Sequence, residues 1–350
     1  MGSEAQEPER ARFAVLLRPL LSVLLLPLKW VFRLTSQRHR ERIGRIPGVL
    51  AMYHSVLRIL LGRAIGKGLV AAKVRGLTML LAPERAAGFI GALLSGQYEP
   101  ATSFVFAQAL TEGDIAIDVG AHWGYYTLLA AALCGNRGRV FSFEPHPRNY
   151  ALLARNIEAN YLTNVVAVKK AVCNRAGPSQ LVPSQGTGAH RLSPLRTEGG
   201  LPVTSPQHAL TVDTVTLDGF LQAVGVGSEV RLVKMDIEGA EPLALAGMRG
   251  LIEGNPSLVL IAEFSPIYMD AQAAADFLDS LAAGGFRLGI IDDDRRQLTV
   301  GPKALLLKRF LDDRAAYNLL ATRDRSFFER LFHQPNGLGK HLGHMEGVSL

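Results

Sequence analysis

The feature that most constrains the fold is an alternation of two patterns that begins at residue 114. Short apolar runs typical of strands alternate with stretches of helical periodicity, as in a parallel sheet whose strands are joined by crossover helices. The sequence predicts strands at 114–119, 139–143, 165–169, 230–235, 258–263, 286–291 and 317–322. It predicts helices at 124–134, 147–160, 241–252 and 271–283. The fold class that follows is α/β.

Changes in composition along the chain suggest four regions. These are a basic and apolar N-terminal arm, expected to be helical, at 1–45, a mixed subdomain at 46–113, the α/β domain at 114–325 and a C-terminal tail at 326–350. Within the α/β region, residues 177–209 are dense in Gly, Pro, Ser and Thr. A loop of that length inside a compact domain is expected to be a functional lid or a disordered segment.

Formal charge is unevenly distributed along the chain. There are 38 Lys and Arg against 31 Asp and Glu, which gives a net charge of +7. Residues 1–100 hold 15 of the basic and six of the acidic residues, a balance of +9, so residues 101–350 carry −2. A nucleic-acid enzyme usually concentrates positive charge around its catalytic domain to meet phosphates. The distribution therefore argues against a nucleic-acid partner.

The arm contains an apolar stretch at 13–33, which holds Arg18 and Lys29 and is interrupted by two prolines. These features disfavour a helix that spans a bilayer. A wide apolar face beside a narrow basic stripe suits a helix lying in the interface of an anionic membrane. The alternatives are a helix docked on its own domain or on a second subunit and, less favoured, a cleaved targeting peptide. The expected location is the cytoplasm, with or without peripheral membrane contact.

A glycine-containing turn follows the first predicted strand, in the run DIAIDVGAHWGYYT. The strand end and the turn supply Asp118, Gly120, Ala121, His122 and Gly124. Glycine lets the backbone approach a ligand closely, and the start of the next helix presents free N–H groups. The nicotinamide fingerprint needs three glycines at GxGxxG spacing, which this turn lacks. The turn therefore predicts a cofactor site but disfavours a dehydrogenase.

A second acidic residue, Glu144, ends the next predicted strand, 26 positions after Asp118. A carboxylate at that edge of the sheet can accept hydrogen bonds from both hydroxyls of a ribose. S-adenosylmethionine needs this contact and has no pyrophosphate, while Gly120 with Asp118 or Asp236 could hold its amino group. Taken singly, Asp118 also fits a helix cap and Glu144 a solvated strand end. Their joint placement at adjacent strand ends favours S-adenosylmethionine.

Several segments together resemble the FkbM-type S-adenosylmethionine-dependent methyltransferases. The matching pieces are SGQYEP, IDVGAHWGYYT, GRVFSFEPHP, NIEAN, VTLDGFL and VKMDIEGAE, which run from about residue 95 to 264. The resemblance implies a Rossmann-like methyltransferase fold, with a mostly parallel seven-stranded sheet and helices on both faces. It also implies methyl transfer, usually to a hydroxyl oxygen, and leaves the acceptor open.

The resemblance also implies roles for individual residues. The loop that binds the methionine part of the cofactor would comprise Asp118, Gly120, Ala121 and Gly124, with His122 beside them. Glu144 would hold the ribose, and Asp236 would lie beside the reacting centre. The sequence departs from the family at His122 and His146, where the family usually or often has Asn. An acidic residue often found after the third strand is absent around 171–174, so the resemblance assigns no residue to the adenine.

Acidic residues that follow the fourth and fifth predicted strands are the candidates for chemistry on the methyl acceptor. They are Asp236, Glu238, Glu241 and Glu263. One of them could remove the proton of an acceptor hydroxyl, or several could hold a divalent cation such as Mg²⁺. Alternatively, Glu238 and Glu241 cap the following helix. We assign Asp236 to the site and Glu241 to the cap, and keep Glu238 and Glu263 as open catalytic candidates.

Three histidines are weaker candidates for the base. His122 lies in the cofactor turn and is better suited to donating a hydrogen bond, while His190 and His208 lie in the expected lid. The function that the sequence favours is O-methylation of a sugar or another small or lipid-linked hydroxyl compound. The alternatives are N-methylation of a small amine, a non-catalytic cofactor-binding module tethered to a membrane and, least favoured, a dehydrogenase.

Overall fold

The computed structural model describes residues 69–82, 87–94, 96, 98–183, 190–193, 209–265, 268–313 and 315–332. They belong to two compact units, one that ends at Tyr98 and one that begins at Glu99. The N-terminal arm, His208 and the chain after Phe332 lie outside the described residues. The four predicted regions therefore remain predictions.

In the first unit, the described residues form a hairpin and a helix. Strand β1, Val70–Val74, pairs antiparallel with β2, Leu77–Leu81. Arg75 and Gly76 join them, and both have positive φ, 49° and 83°. Two consecutive residues of this kind form the tight turn whose twist matches that of the paired strands. Helix α1 follows at Ala87–Leu94.

The second unit holds the predicted α/β domain. Its strands are β3 Ile115–Val119, β4 Arg139–Phe143, β5 Val165–Val168, β6 Ala171–Val172, β7 Gly177–Pro183, β8 His190–Ser193, β9 Leu210–Val215, β10 Val230–Met235, β11 Val259–Phe264, β12 Arg287–Asp292, β13 Gln297–Val300 and β14 Tyr317–Thr322. Its helices are α2 Pro100–Ala109, α3 Tyr125–Cys134, α4 Pro147–Glu158, α5 Leu217–Ala223, α6 Glu241–Ala246, α7 Arg249–Gly254, α8 Ala271–Ala283, α9 Lys303–Asp313 and α10 Arg325–Phe332.

Eight strands form the main sheet, in the order β13-β12-β14-β11-β10-β3-β4-β5. The pairs from β5 to β11 are parallel, and β14 runs antiparallel to both of its neighbours. This confirms the Rossmann-like methyltransferase fold. The sheet has one strand more than the predicted seven, because the chain after β12 turns back and pairs with it antiparallel as β13.

The central strands are apolar along their length because both faces of the sheet are covered. Strands β10 and β11 are almost continuously buried, as are the side chains that pack around them, including Phe141, Phe143, Phe264 and Phe277. Parallel strands buried on both faces lose the alternation of apolar and polar residues. Polar groups inside this sheet, such as Asp118 and Lys234, are therefore unusual and need partners.

The segment at 177–209, expected to be a lid or disordered, contains regular structure. Strand β7 pairs antiparallel with β8 and β9, and β9 pairs parallel with β6, in a separate four-stranded sheet ordered β6-β9-β7-β8. The prediction of a single long loop was therefore wrong. Its Gly- and Ser-rich composition hid strands whose hydrogen-bond partners lie as far away as residue 214.

The single helix predicted at 241–252 is two helices, α6 and α7. A Cβ at Gly247 would lie 2.1 Å from the carbonyl oxygen of Cys173, so the chain approaches β6 closely at the break. The carboxylate of Asp218 accepts the N–H groups of Gly250 and Leu251 at 2.8 and 2.9 Å. This contact caps α7 from a distant part of the chain, so the helical periodicity alone did not reveal the break.

The sheet has its switch in strand order between β3 and β10. The chain runs from β3 outward to β4 and β5, then returns to β10 on the other side of β3 and continues to β11. In open α/β sheets, ligands bind at the carboxyl ends of the strands beside such a switch. The turns after Val119 and Met235 lie there.

Candidate functional site

The two turns at the switch point are joined through their backbones. The N–H of Asp236 donates to the carbonyl of Val119 at 3.0 Å, and the N–H groups of Gly120 and Ala121 both donate to the carbonyl of Phe143 at 2.9 Å. Gly120 has φ +85°, and a Cβ there would lie 2.0 Å from the carbonyl oxygen of Asp236. Gly120 was predicted to allow a close approach of the backbone. In the structure that close approach is to the backbone of Asp236, directly after the end of the neighbouring strand.

The turn from Gly120 to Gly124 leads directly into α3. His122 has φ 51° and Gly124 has φ 94°, and the N–H of Gly124 donates to the carbonyl of Ala121 at 2.7 Å. A Cβ at Gly124 would lie 2.6 Å from the side chain of Leu153 in α4. Both glycines are thus required by conformation and by space, and the turn presents its backbone at the carboxyl edge of the sheet.

Glu144 joins the turns after β3 and β4. Its carboxylate accepts the backbone N–H of His122 at 2.8 Å and that of His146 at 2.9 Å. Burial raises the pKa of Glu144 to about 7, although these two N–H donors lower it. The two positions where the sequence departs from the family therefore both contact Glu144, and the side chain of Asn149 is a further donor to it. His122 and His146 contact it through the backbone, which a change of side chain leaves in place.

Asp118 lies deeper than predicted. It is buried in β3, and its Oδ2 accepts the hydroxyl of Thr127 at 2.6 Å, while Thr127 also contacts Ser142 of β4 at 2.8 Å. Burial raises the pKa of Asp118 to about 6. The carboxylate is thus engaged by the first turn of α3, as in the helix-cap alternative, and it fixes the start of that helix.

Lys234 is a site residue that the sequence reasoning missed. It lies in β10 beside Asp118 of β3 in the sheet register, and its side chain is fully buried. Its Nζ lies 3.3 Å from Oδ2 of Asp236 and 5.2 Å from the centre of the Tyr126 ring. Burial lowers the pKa of Lys234, but the surrounding acidic residues, Asp236 and Glu99 first, raise it above its usual range. A lysine within the apolar run VRLVKM was the available signal.

Glu99 is the second site residue that was missed. The hydroxyl of Tyr126 donates to its Oε2 at 2.5 Å. Burial raises the pKa of Glu99 to about 7, the charge of Lys234 lowers it, and Asp236 and Asp293 raise it further. The segment SGQYEP contains Glu99, yet the spacing to Tyr126 and Lys234 gives no hint of the contact.

The three predicted catalytic acids differ in their surroundings. Asp236 is partly exposed and pairs with Lys234. Glu238 follows in the same turn with φ 58°. Glu263 is the penultimate residue of β11. Burial, and then the charges of the neighbouring acids, raise its pKa to about 10, so it keeps its proton at neutral pH. Glu263 is therefore suited to donating a hydrogen bond rather than to removing a proton.

Glu241, which we assigned to a helix cap, shapes the turn before its helix. It is fully buried, and its carboxylate accepts the N–H of Ile237 at 2.8 Å and that of Gly239 at 2.9 Å. Burial raises its pKa to about 7. Glu241 thus fixes the backbone of the turn that carries Asp236 and Glu238.

Two buried polar atoms at this edge of the sheet have no hydrogen-bond partner among the described residues. They are Oε2 of Glu263 and Oδ1 of Asn318, and the two residues face each other across β11 and β14. Buried polar atoms are nearly always hydrogen-bonded. These two atoms are therefore exceptions among the buried polar groups of the described residues.

The structure brings most of the predicted site together and leaves some candidates elsewhere. His190 begins β8 in the small sheet. Across the described ranges, no group of three or more His, Cys, Asp and Glu side chains is arranged to hold a metal ion. In the same part of the chain, no helix combines the length and apolarity needed to cross a bilayer.

Residues 118–288, which include both turns and all the acids described above except Glu99 and Asp293, match the family described as the methyltransferase FkbM domain. This segment is an FkbM-type methyltransferase domain. The match confirms the predicted family for this segment. The matched region begins at Asp118, so Glu99 precedes it.

A curated relative of this FkbM domain is the hexuronic acid methyltransferase AglP of Haloferax volcanii. It is 28% identical over 144 residues, which are 41% of this chain and 53% of the relative. The chain thus spans about half the length of that relative.

Solved structures with similar folds include two methyltransferases. The methyltransferase FkbM of Methylobacillus flagellatus is 14% identical, with a TM-score of 0.38 over 78% of this chain and 60% of the other. The precorrin-6y C5,15-methyltransferase of Geobacter metallireducens is 10% identical, with a TM-score of 0.36 over 64% and 87%. The assignment of the fold therefore depends on the strand order of the main sheet and not on these two structures.

Proposed function

We propose that this protein transfers a methyl group from S-adenosylmethionine to a hydroxyl of a sugar or another hydroxylated metabolite. The observation that carries the proposal is the contact of Glu144 with the backbone of His122, beside the glycine turn at the switch in strand order. Each oxygen of a carboxylate can accept more than one hydrogen bond. Glu144 can therefore hold ribose hydroxyls while it keeps its two backbone donors.

The other cofactor contacts follow from the same edge of the sheet. The backbone of Gly120 and Ala121 and the carboxylate of Asp236 would hold the methionine part, whose ammonium group needs carbonyl or carboxylate oxygens. When bound, S-adenosylmethionine supplies an electrophilic methyl group. The chain's own residues then have to align the acceptor oxygen with that group and take up its proton.

A sugar acceptor is supported by two observations. The AglP relative is a hexuronic acid methyltransferase by name. The acidic side chains Asp236 and Glu238 lie in the turn after β10, and acidic groups can accept hydrogen bonds from sugar hydroxyls. We propose a glycan or a small hydroxylated metabolite, lipid-linked or free, as the acceptor.

The test is transfer of a labelled methyl group by the full chain to a panel of acceptors. The panel contains uronic-acid oligosaccharides, neutral oligosaccharides, lipid-linked sugars and small amines, with products identified by mass spectrometry. Labelled O-methyl sugars would support the proposal. Labelled amines would favour an N-methyltransferase, and cofactor binding without transfer to any member would favour a non-catalytic module.

Asp236 is proposed to contact the acceptor hydroxyl or the cofactor's amino group. Asp236→Asn keeps the shape and removes the charge, so turnover should fall by about a hundredfold or more while the fold survives. Asp276→Asn, on the exposed side of α8, is the matched control and should keep wild-type turnover. Equal turnover in the two variants would make Asp236 a structural residue.

A divalent cation such as Mg²⁺ at Asp236, with Glu238 or Glu263, is a separate proposal that comes from the acids' positions in the sequence. A chelator distinguishes it from direct contact. Activity that is lost and then restored by Mg²⁺ would support the cation. Activity that the chelator leaves unchanged would support direct contact by Asp236.

For the arm, we propose peripheral contact with an anionic membrane through residues 13–33. Vesicles that contain phosphatidylserine should bind the full chain, and added salt should weaken that binding. Deletion of residues 1–45 should abolish vesicle binding and leave cofactor binding unchanged. Loss of folding on deletion would favour the docked helix instead.

A further inference from the structure

Glu99 occupies a strained position at the start of α2. Its φ is 39°, and its carbonyl accepts the N–H of Ser103 at 2.8 Å in the first turn of the helix. A left-handed conformation costs a residue other than glycine roughly 1–2 kcal/mol. His122 and Glu238, which lie in the two turns of the site, also have a positive φ. Backbone strain of this kind concentrates at functional sites.

The start of α2 is fixed to the same edge of the sheet as the cofactor turns. Asp293 follows β12, which runs in the direction of β11, and so lies at the carboxyl edge. Its carboxylate accepts the N–H groups of Ala101 and Thr102 at 2.8 and 2.9 Å and the hydroxyl of Thr102 at 2.7 Å. Glu99, two residues before Ala101, is therefore held above that edge.

The carboxylate of Glu99 faces charged or titratable groups from three elements. They are Tyr126 from α3, Lys234 and Asp236 from β10 and its turn, and Asp293 from the turn after β12. The charges of Glu263 of β11 and Asp118 of β3 also raise the pKa of Lys234. Lys234 is fully buried, whereas Glu99 is partly exposed. Glu99 therefore has surface open to a ligand, whereas the side chain of Lys234 has none.

We propose that Glu99 accepts the proton of the acceptor hydroxyl, with Tyr126 and Lys234 as positioning residues. The proposal rests on the proposed function above. The acceptor oxygen forms a bond to the methyl carbon as the carbon–sulfur bond breaks, and the sulfur keeps that electron pair. The hydroxyl proton passes to the carboxylate of Glu99 and from there to solvent, so charge and atoms balance.

Four other acids of the site are less suited to this step. Glu144 and Glu241 each accept two backbone N–H groups, and Asp118 is held by Thr127 in the interior. Burial keeps the proton on Glu263 at neutral pH. Glu99 is partly exposed, and its pKa of about 7 suits an acid that gains and loses a proton at neutral pH.

The charge of Glu99 can be tested without knowing the acceptor. S-adenosylmethionine carries a positive sulfonium at the reacting centre, and S-adenosylhomocysteine has a neutral sulfur there. An ionised carboxylate close to that sulfur favours the first ligand over the second. The experiment is calorimetry of both ligands with the full chain at pH 5.5 and pH 8.0, for wild type and Glu99→Gln.

At pH 8.0, we expect the preference for S-adenosylmethionine to be about three- to tenfold greater in wild type than in Glu99→Gln. At pH 5.5 the two proteins should agree, because Glu99 is then protonated. Glu144 and Asp118 titrate in the same range, but both proteins contain them, so the comparison isolates Glu99. Glu112→Gln, an exposed acid paired with Arg137, should match wild type at both pH values.

Tyr126→Phe provides a second variant that keeps Glu99. Tyr126 donates to Oε2 of Glu99 and so favours the ionised form, and its loss should move the midpoint of the pH dependence upward. Equal preferences in wild type and Glu99→Gln at pH 8.0, or a difference that persists at pH 5.5, would overturn the role of Glu99. Failure of wild type to bind either ligand would overturn the proposed function, and this inference with it.

Discussion

The α-carbon of Gly120 lies against the carbonyl oxygen of Asp236, and a Cβ added at Gly120 would come within 2.0 Å of that oxygen. The two residues directly follow neighbouring strands, β3 and β10, at the switch in strand order. Their contact sets the separation between the turn assigned to the cofactor and the acid assigned to the reacting centre. The site therefore depends on a backbone contact that only glycine permits.

Gly120→Ala should destabilise the protein and abolish cofactor binding, because the new Cβ must displace the backbone of Asp236. Gly113→Ala is the matched control, since Gly113 has φ +93° and an added Cβ there meets nothing within 4 Å. The control isolates the conformational cost of roughly 1–2 kcal/mol. Thermal unfolding and calorimetry check this. Equal losses in the two variants would show that the contact with Asp236 is unimportant.

Lys234→Met should make stability depend more steeply on pH. The ammonium group lowers the pKa of both Glu99 and Asp118, and without it both acids hold their protons more tightly when folded than when unfolded. Such groups favour the folded state at low pH, and that contribution is lost as pH rises through their folded pKa. The variant should therefore unfold close to wild type at pH 5.

At pH 8 the same variant should be less stable than wild type by about 3 kcal/mol, the loss typical of removing one partner from a buried ion pair. Denaturant unfolding at the two pH values measures the difference. Lys308→Met removes an exposed lysine paired with Asp312 and should change little at either pH. A loss of the same size at pH 5 and pH 8 would mean that Lys234 contributes packing alone.

Glu263→Gln should stabilise the protein at high pH. The pKa of Glu263 is raised from 4.5 to about 10 on folding, so its contribution favours the folded state at low pH and is lost between those values as pH rises. Glutamine has a similar shape and does not titrate. The variant should gain at least about 1 kcal/mol over wild type between pH 5 and pH 9.

Unfolding of Glu263→Gln at pH 5, 7 and 9 is compared with that of Glu253→Gln, an exposed change in α7. The control should follow wild type throughout. A stability curve for Glu263→Gln that runs parallel to wild type would show that Glu263 is ionised in the folded protein.

The strand ends were predictable because short apolar runs and glycine turns are local signals. The bounds of β3, β4, β10 and β14 agree with the predicted strands to within one residue. The position of Glu144 at the end of β4 followed from the same pattern, since parallel strands place their carboxyl ends at one edge. Chemistry that depends on adjacent strand ends can thus be predicted from spacing.

Contacts across the fold were not predictable in this way. Lys234 lies among acids from β3, β11 and the start of α2, and no local pattern shows that the sheet brings them together. Asp218 caps α7 from 32 residues away, and β7 pairs with β9 across a segment read as a loop. Glu241 begins its helix, as the cap assignment placed it, but its burial and its contacts with the preceding turn were not predicted. In each case the contact depends on tertiary packing, which local sequence patterns do not show.

The most direct test of the whole account is the binding of S-adenosylmethionine to the full chain, measured by calorimetry for wild type and Glu144→Ala. Wild type should bind this cofactor in preference to a nicotinamide dinucleotide. Glu144→Ala should weaken binding by roughly 1.5–3 kcal/mol, the value of a hydrogen bond to a charged group, while Glu158→Ala on the exposed side of α4 should not. Unchanged affinity in a folded Glu144→Ala variant, or preference of wild type for the dinucleotide, would contradict the account.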